Sequence, residues 1–236
     1  MTNKETQSSI IEKDSPSIDY RQVENIALNL LKEYELLSGD LFIAAILKYY
    51  WKSLEGKKII SLGSAPALEL NRQYSPACFF NIASKEGTKV IGVDIAARWY
   101  SEPPGSGKST LLVEGRAEQI EQFIKPNKVD AVISDRLFGQ PILKNCGEWL
   151  NPILMSEKAF NLELSIFKNI TQILKNYGYS VHYTTEPDWI HINKTDFASL
   201  LPDLHIIQWL NEYSPSKQKT YLKGMLDHIM PNMIIL

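Results

Sequence analysis

Residues Lys57–Asp94 read KKIISLGSAPALELNRQYSPACFFNIASKEGTKVIGVD, and the fold follows from how this stretch is punctuated. Lys58–Leu62 (KIISL) is a short apolar run ending at Gly63, and Lys89–Val93 (KVIGV) is another ending at Asp94. Between them Leu68–Ser84 carries an interrupted helical pattern, in which Ser75-Pro76 has the form of a new N-cap and first helical position. Downstream the texture repeats. Thr110–Val113 (TLLV) ends at Glu114-Gly115 and is followed by a helix over Ala117–Ile124, and Val129–Ile133 (VDAVI) ends at Ser134-Asp135. A long helix over Glu157–Asn176 places Phe160, Leu164, Phe167, Ile170 and Leu174 on one face, Gly178 closes it, and Tyr179–Thr184 alternates as a fifth strand. Beyond lie a helical pattern at Asp196–Leu201 and strand-like runs at Leu204–Leu210 and Thr220–Met225. Alternation at this spacing predicts an α/β fold, a doubly wound, mostly parallel sheet with helices on both faces.

Upstream, residues 1–17 are polar and read as a flexible tail, and 18–56 read as an N-terminal helical extension. Val23, Ile26, Ala27, Leu30, Leu31 and Tyr34 recur at helical spacing, with Gly39 as the expected C-cap. The second helix, Leu41–Leu54, is apolar on most sides, which predicts burial between two layers, and Gly56 ends it.

Composition narrows the function. The 236 residues are 44% hydrophobic and 22% charged, with 25 Lys plus Arg against 27 Asp plus Glu and a net charge of −2. That balance excludes a basic nucleic-acid-coating protein and argues against polyanionic substrates. Two cysteines, Cys78 and Cys146, make neither a disulfide framework nor a four-cysteine zinc site. The longest apolar run, Leu41–Leu47, is far short of a membrane span, and Met1–Pro16 lacks the apolar segment of a secretory signal. The expectation is a soluble, cytoplasmic protein with no membrane partner.

Parallel α/β sheets bind ligands at the carboxyl ends of their strands, where the strand order reverses. The candidate residues are therefore Gly63–Ala67, Asp94–Ile95, Glu114–Ala117 and Ser134–Phe138, each group just past a predicted strand. Small residues after Gly63 let a backbone approach a ligand closely, or simply form a tight turn. A carboxylate at Asp94 can accept both hydroxyls of a ribose, or stand solvated in a loop.

Taken in order, ISLGSAPA, VIGVDI, LLVEGRAEQI and VDAVISD resemble the class I S-adenosylmethionine-dependent methyltransferases, with a Rossmann-like domain over 57–236. The resemblance is clearest over Lys57–Thr185 and includes ILKNYGYSVHYTT as the fifth-strand unit. It implies S-adenosylmethionine as cofactor and S-adenosylhomocysteine as product. It further implies that Gly63, Ser64 and Ala65 hold the methionine part, that Asp94 binds the ribose, and that Ile95 lies against adenine. By the same resemblance Arg116 and Ala117 flank the adenine edge, while Ser134 and Asp135 face the transferred methyl, Asp135 as acceptor-side base or orienter. The chain departs from the family pattern at Ser61, where an acidic residue is usual, at Ala67, where glycine is usual, and at Arg116, often a carboxylate. About thirty positions separate Gly63 from Asp94, against roughly 20 in dinucleotide-type units, the extra residues falling around Asn71–Phe79. These departures favour a second reading, a methyltransferase-fold binding or assembly protein without catalysis.

Other signals weigh less. PPGSGKST at Pro103–Thr110 resembles a P-loop but has Glu102 where the first glycine belongs, and it leads into a strand instead of a helix. The histidines His182, His191, His205 and His228 lack metal-ligand spacing, so no metal site is expected. After Asp135 the sequence RLFGQP lacks the motif of amino-group methyltransferases, and the fifth strand lacks the lysine of the RNA ribose methyltransferase tetrad. The cluster Lys217, Lys219 and Lys223 reads as a solvated strand face. The connection Arg136–Ser156 carries Leu137, Phe138, Ile142, Leu143, Trp149 and Leu150, enough apolar groups for a lid over a small-molecule or peptide acceptor, for sheet packing, or for a homodimer interface. A lid and an acidic balance both disfavour nucleic acid as partner.

Overall fold

The computed structural model describes residues 18–36, 38–64, 74–107, 109–135, 137, 152–183, 208–209 and 233–235, with 152–160 and the last two segments described by backbone alone. Among the described residues seven strands form one sheet: β1 (Lys58–Leu62), β2 (Lys89–Asp94), β3 (Thr110–Glu114), β4 (Val129–Asp135), β5 (Leu174–Tyr183), β6 (Gln208–Trp209) and β7 (Met233–Ile235). Their order is β3-β2-β1-β4-β5-β7-β6. The first five are parallel, whereas β7 runs antiparallel to both β5 and β6. This is a Rossmann-like, doubly wound sheet, and β1, flanked by β2 and β4, marks the point where strand order reverses. Among the described strands β3 forms the rim on one side.

Strand side chains alternate between two cores, as the period of two requires. Ile59, Val90, Ala131, Ile133, Val181 and Tyr183 face helices α1 (Tyr20–Tyr34), α2 (Gly39–Trp51) and α3 (Phe79–Lys85). Ile60, Leu62, Val93 and Val132 face the 3₁₀ turn Ala117–Gln122 and helix α4 (Pro152–Ile173), which contributes Ile166, Phe167, Ile170 and Ile173. α2 lies between α1 and the sheet, and every residue from Leu41 to Leu47 is buried, as its apolar pattern predicts. At about 1.5–3 kcal/mol per large apolar side chain, this helix is a principal source of stability.

Several boundaries differ from expectation. α1 ends at Tyr34 with Glu35 in the left-handed cap (φ 54°), so Gly39 is not its C-cap. Gly39 instead opens α2, behind Ser38, whose Oγ accepts from Leu41 N at 3.1 Å. α2 stops at Trp51 through Lys52 (φ 65°), ahead of Gly56. Ser75-Pro76 forms a turn closed by Cys78 N–H on the Ser75 carbonyl, and α3 begins only at Phe79. The helix expected over Ala117–Ile124 is a short 3₁₀ turn. α4 ends at Ile173, before Gly178, because pairing of Leu174 with Val129 already starts β5, which resumes at Tyr179 after an irregularity. Of Leu204–Leu210 the described residues are Gln208–Trp209, which are strand, and Met233–Ile235 is a strand too short for its pattern to announce. The tail, Ala65 and the first part of the Leu68–Ser84 helix lie outside the described residues, as do Asp196–Leu201, Thr220–Met225, the lysine cluster and, except for Leu137 and the α4 backbone, the Arg136–Ser156 connection. Among the described residues no helix is long and apolar enough to cross a membrane.

Candidate functional site

The carboxyl ends of β1, β2 and β4 meet where Leu62 pairs with Val93 on one side and Ser134 on the other. Gly63 leaves β1 with φ +62°, a conformation open to glycine, and its N–H donates to the Val93 carbonyl at 2.9 Å. A Cβ on Gly63 would stand 3.1 Å from Leu137 Cδ1, so Leu137, two residues past β4, covers this turn. Ser64 turns its hydroxyl over Gly92, whose missing side chain makes the room, and that hydroxyl is buried with no hydrogen-bond partner.

Asp94 closes β2. Its Oδ1 accepts from Ala96 N–H at 2.7 Å, which turns the chain sharply, and its carbonyl accepts from Gly115 N–H at 3.1 Å, which draws the end of β3 alongside. The carboxyl group is half-buried and lies on the α3 face of the sheet, the same face as Gly92. Ile95 follows with 46% of its surface exposed, an uncovered apolar side chain at a strand end. Beside it a groove of about 530 Å³ runs along β3, lined by Ala97, Tyr100, Glu102, Pro103, Leu112 and Glu114.

Ser134 and Asp135 are strand residues, so their side chains part. Ser134 is fully buried on the α4 face, where its Oγ lies 2.8 Å from His182 Nδ1, and the other ring nitrogen meets Ser180 Oγ at 2.5 Å. Phe167 packs edge-on against the imidazole at 5.5 Å between ring centres. Burial drives the His182 pKa down to about 3, so the ring is neutral and donates through one nitrogen while accepting through the other. Ser134 therefore spends its hydroxyl inside the molecule. Asp135 faces the opposite way, toward the amino end of α2, against Gly39 and Tyr183. That end of α2 is anchored on α3, because Ser38 Oγ donates to the Ala77 carbonyl and Asp40 Oδ2 accepts from Phe79 N–H, both at 2.9 Å.

Arg116 does not join the group. Its Nε pairs with Glu118 Oε1 at the surface, the arrangement a solvated arginine adopts beside a helical carboxylate, while Ala117 is partly buried under the 3₁₀ turn. The loop that resembles a P-loop is closed on itself: Ser109 N–H and Thr110 N–H donate to the Gly105 carbonyl and Ser106 N–H to that of Pro103, so these donors are not open to a phosphate. Of the residues expected at the site, Gly63, Ser64, Asp94 and Asp135 lie at one end of the sheet; Ser64, Asp94 and Asp135 project on the face of α2 and α3, whereas the Gly63 turn meets Leu137 of the opposite core. Sequence reasoning missed Gly39 and Gly92, whose role is to let neighbours approach, and Glu163, which sits on the sheet-facing side of α4 with 1% of its surface exposed. A glycine inside an otherwise unbroken strand pattern (VIGVD) is the signal that could have found Gly92.

No protein-family model matches the sequence, and no curated protein does. Many solved structures are similar to the chain. A SAM-dependent methyltransferase from Archaeoglobus fulgidus is similar at 13% identity over 88% of this chain and 96% of that one, with a TM-score of 0.44. A TehB-like SAM-dependent methyltransferase from Corynebacterium glutamicum is similar at 16% identity over 78% and 83%, with a TM-score of 0.43. At such values the likeness carries no argument about activity, and the fold rests on the strand order itself.

Proposed function

We propose that the chain binds S-adenosylmethionine across the ends of β1 and β2 and transfers its methyl group to a small-molecule or peptide acceptor. The observation that carries this reading is the joined pair of strand ends at the reversal point: Gly63, with φ +62° and its N–H on the Val93 carbonyl, next to Asp94. The residues fit the cofactor. Ser64 offers a buried hydroxyl with an unused proton, the Gly63 turn admits close approach, and Asp94 presents a half-buried carboxylate for two ribose hydroxyls.

When bound, S-adenosylmethionine supplies an electrophilic methyl on a sulfonium. Gly63 and Ser64 hold the amino-acid end, Asp94 fixes the ribose, and Ile95 covers one side of the base. Asp135, clamped between Gly39 and Tyr183, orients the acceptor and takes up the proton it loses, a role that strengthens as water is excluded. Arg116, engaged by Glu118, plays no part in base recognition. That departure from the family pattern supports the second reading, a binding protein that retains the ligand site without turnover.

Calorimetric titration with S-adenosylhomocysteine and ATP, followed by radiolabelled methyl transfer to metabolite, peptide and RNA pools, tests the proposal. Binding of S-adenosylhomocysteine and labelling of metabolites or peptides, lost in Asp135→Asn, is the expected result. Salt-sensitive labelling of RNA alone overturns the acceptor class. Tight binding with no labelling of any pool selects the non-catalytic reading.

A further inference from the structure

Two hydroxyls at one corner of the strand ends are sealed from solvent without a hydrogen-bond partner, Ser64 Oγ and Tyr74 Oη. Folded proteins rarely tolerate this unless another group completes the bond. The two converge on Phe80. The Tyr74 ring stands edge-on to Phe80 at 5.3 Å and 81°, and Phe80 Cζ lies 2.5 Å from the point where a Cβ on Gly92 would sit, a point Ser64 Oγ also crowds. Gly92 and Asp94 are two residues apart on one strand and so share this face. Burial above all, then Cys78, Asp94 and Tyr100, raises the Tyr74 phenol far above its usual range, so it keeps its proton and can donate. Tyr74 also belongs to the stretch that lengthens the interval between Gly63 and Asp94.

We propose that Tyr74 is a further ligand-positioning residue: its hydroxyl, with that of Ser64, donates to oxygen atoms of the nucleoside ligand whose ribose Asp94 accepts. This inference rests on the function proposed above and adds a donor to it. Asp94 is a pure acceptor, so a diol satisfies it, whereas Tyr74 and Ser64 need acceptors, and one ligand carrying both kinds of group completes the corner.

The test is calorimetric titration of the full chain with S-adenosylhomocysteine, in the wild type, Tyr74→Phe, Ser64→Ala and Tyr50→Phe. Tyr50 Oη is likewise buried without a partner, but it lies at the far end of the sheet, stacked on Tyr179 at 4.4 Å, and serves as control. Tyr74→Phe and Ser64→Ala should each weaken binding about 5- to 10-fold, with Tyr50→Phe unchanged and the unliganded Tm of Tyr74→Phe no lower than wild type. Ligand addition should also perturb the tyrosine ultraviolet difference spectrum in wild type and not in Tyr74→Phe. Equal affinity in wild type and Tyr74→Phe overturns the inference and leaves the proposed function standing. Absence of binding by the wild type overturns the proposed function, and this inference with it.

Discussion

Gly39 and Asp135 touch across the junction of helix and sheet: a methyl group on the Gly39 α-carbon would stand 2.7 Å from Asp135 Oδ1 and would also overlap Tyr183. The orientation of Asp135 is thus set by α2, which Ser38 and Asp40 tie in turn to α3. The N-terminal helices wall the end of β4 and form one core with the strands behind it.

Gly39→Ala should therefore cost about 1–3 kcal/mol by overpacking and lower methyl transfer more than S-adenosylhomocysteine affinity, because it displaces Asp135 and leaves Asp94 in place. Urea unfolding and parallel binding and turnover measurements separate the two effects. Asp40→Ala, which removes the acceptor for Phe79 N–H, should cost about 1 kcal/mol.

On the proposed function, Asp94→Ala would remove the acceptor for two ribose hydroxyls, each worth up to about 1.5–3 kcal/mol as a bond to a charged group. Titration should show at least a tenfold loss of S-adenosylhomocysteine affinity. Arg116→Ala should stay within about a factor of two of wild type, because its partner is Glu118 at the surface.

His182 predicts acid sensitivity. Its pKa falls from 6.5 when unfolded to about 3 when folded, so the unfolded state takes up the proton first. The stability it supports is fully present above about pH 6.5 and is withdrawn as pH falls toward 3, at about 1.4 kcal/mol per unit. Urea midpoints measured between pH 7 and 4.5 should fall less steeply in His182→Gln than in wild type.

Cys78 should be inert. It is buried and free, and burial pushes its thiol up to about 12, so little thiolate forms at neutral pH. Iodoacetamide labelling followed by peptide mapping should leave Cys78 unmodified in the native protein and modify it in guanidinium.

The strands were legible where apolar runs were bounded by glycine or charge: Lys58–Leu62 is β1 without adjustment. β4 runs two residues further than its apolar pattern because backbone pairing continues through Ser134 and Asp135, and the alternation then sends one side chain to each face. Reading both as neighbours of a single ligand overlooked that parity. Gly39 looked like a helix stop because glycine often is one, but the demand for it comes from Tyr183 and Asp135, about a hundred or more residues away in the chain, which local spacing cannot register.

The rim strand β3 bears on behaviour in concentrated solution. Beyond Thr110, whose N–H is taken by the Gly105 carbonyl, the strand shows an unpaired backbone edge among the described strands, and Leu111 is 53% exposed upon it, the ingredients of self-templated aggregation. Two features hold that in check: the strand is only five residues long, and Glu114 at its end pairs with Arg98 at 3.7 Å. Glu114 is thereby a gatekeeper as well as a surface charge, and an apolar residue in its place would turn a quiet rim into an adhesive one.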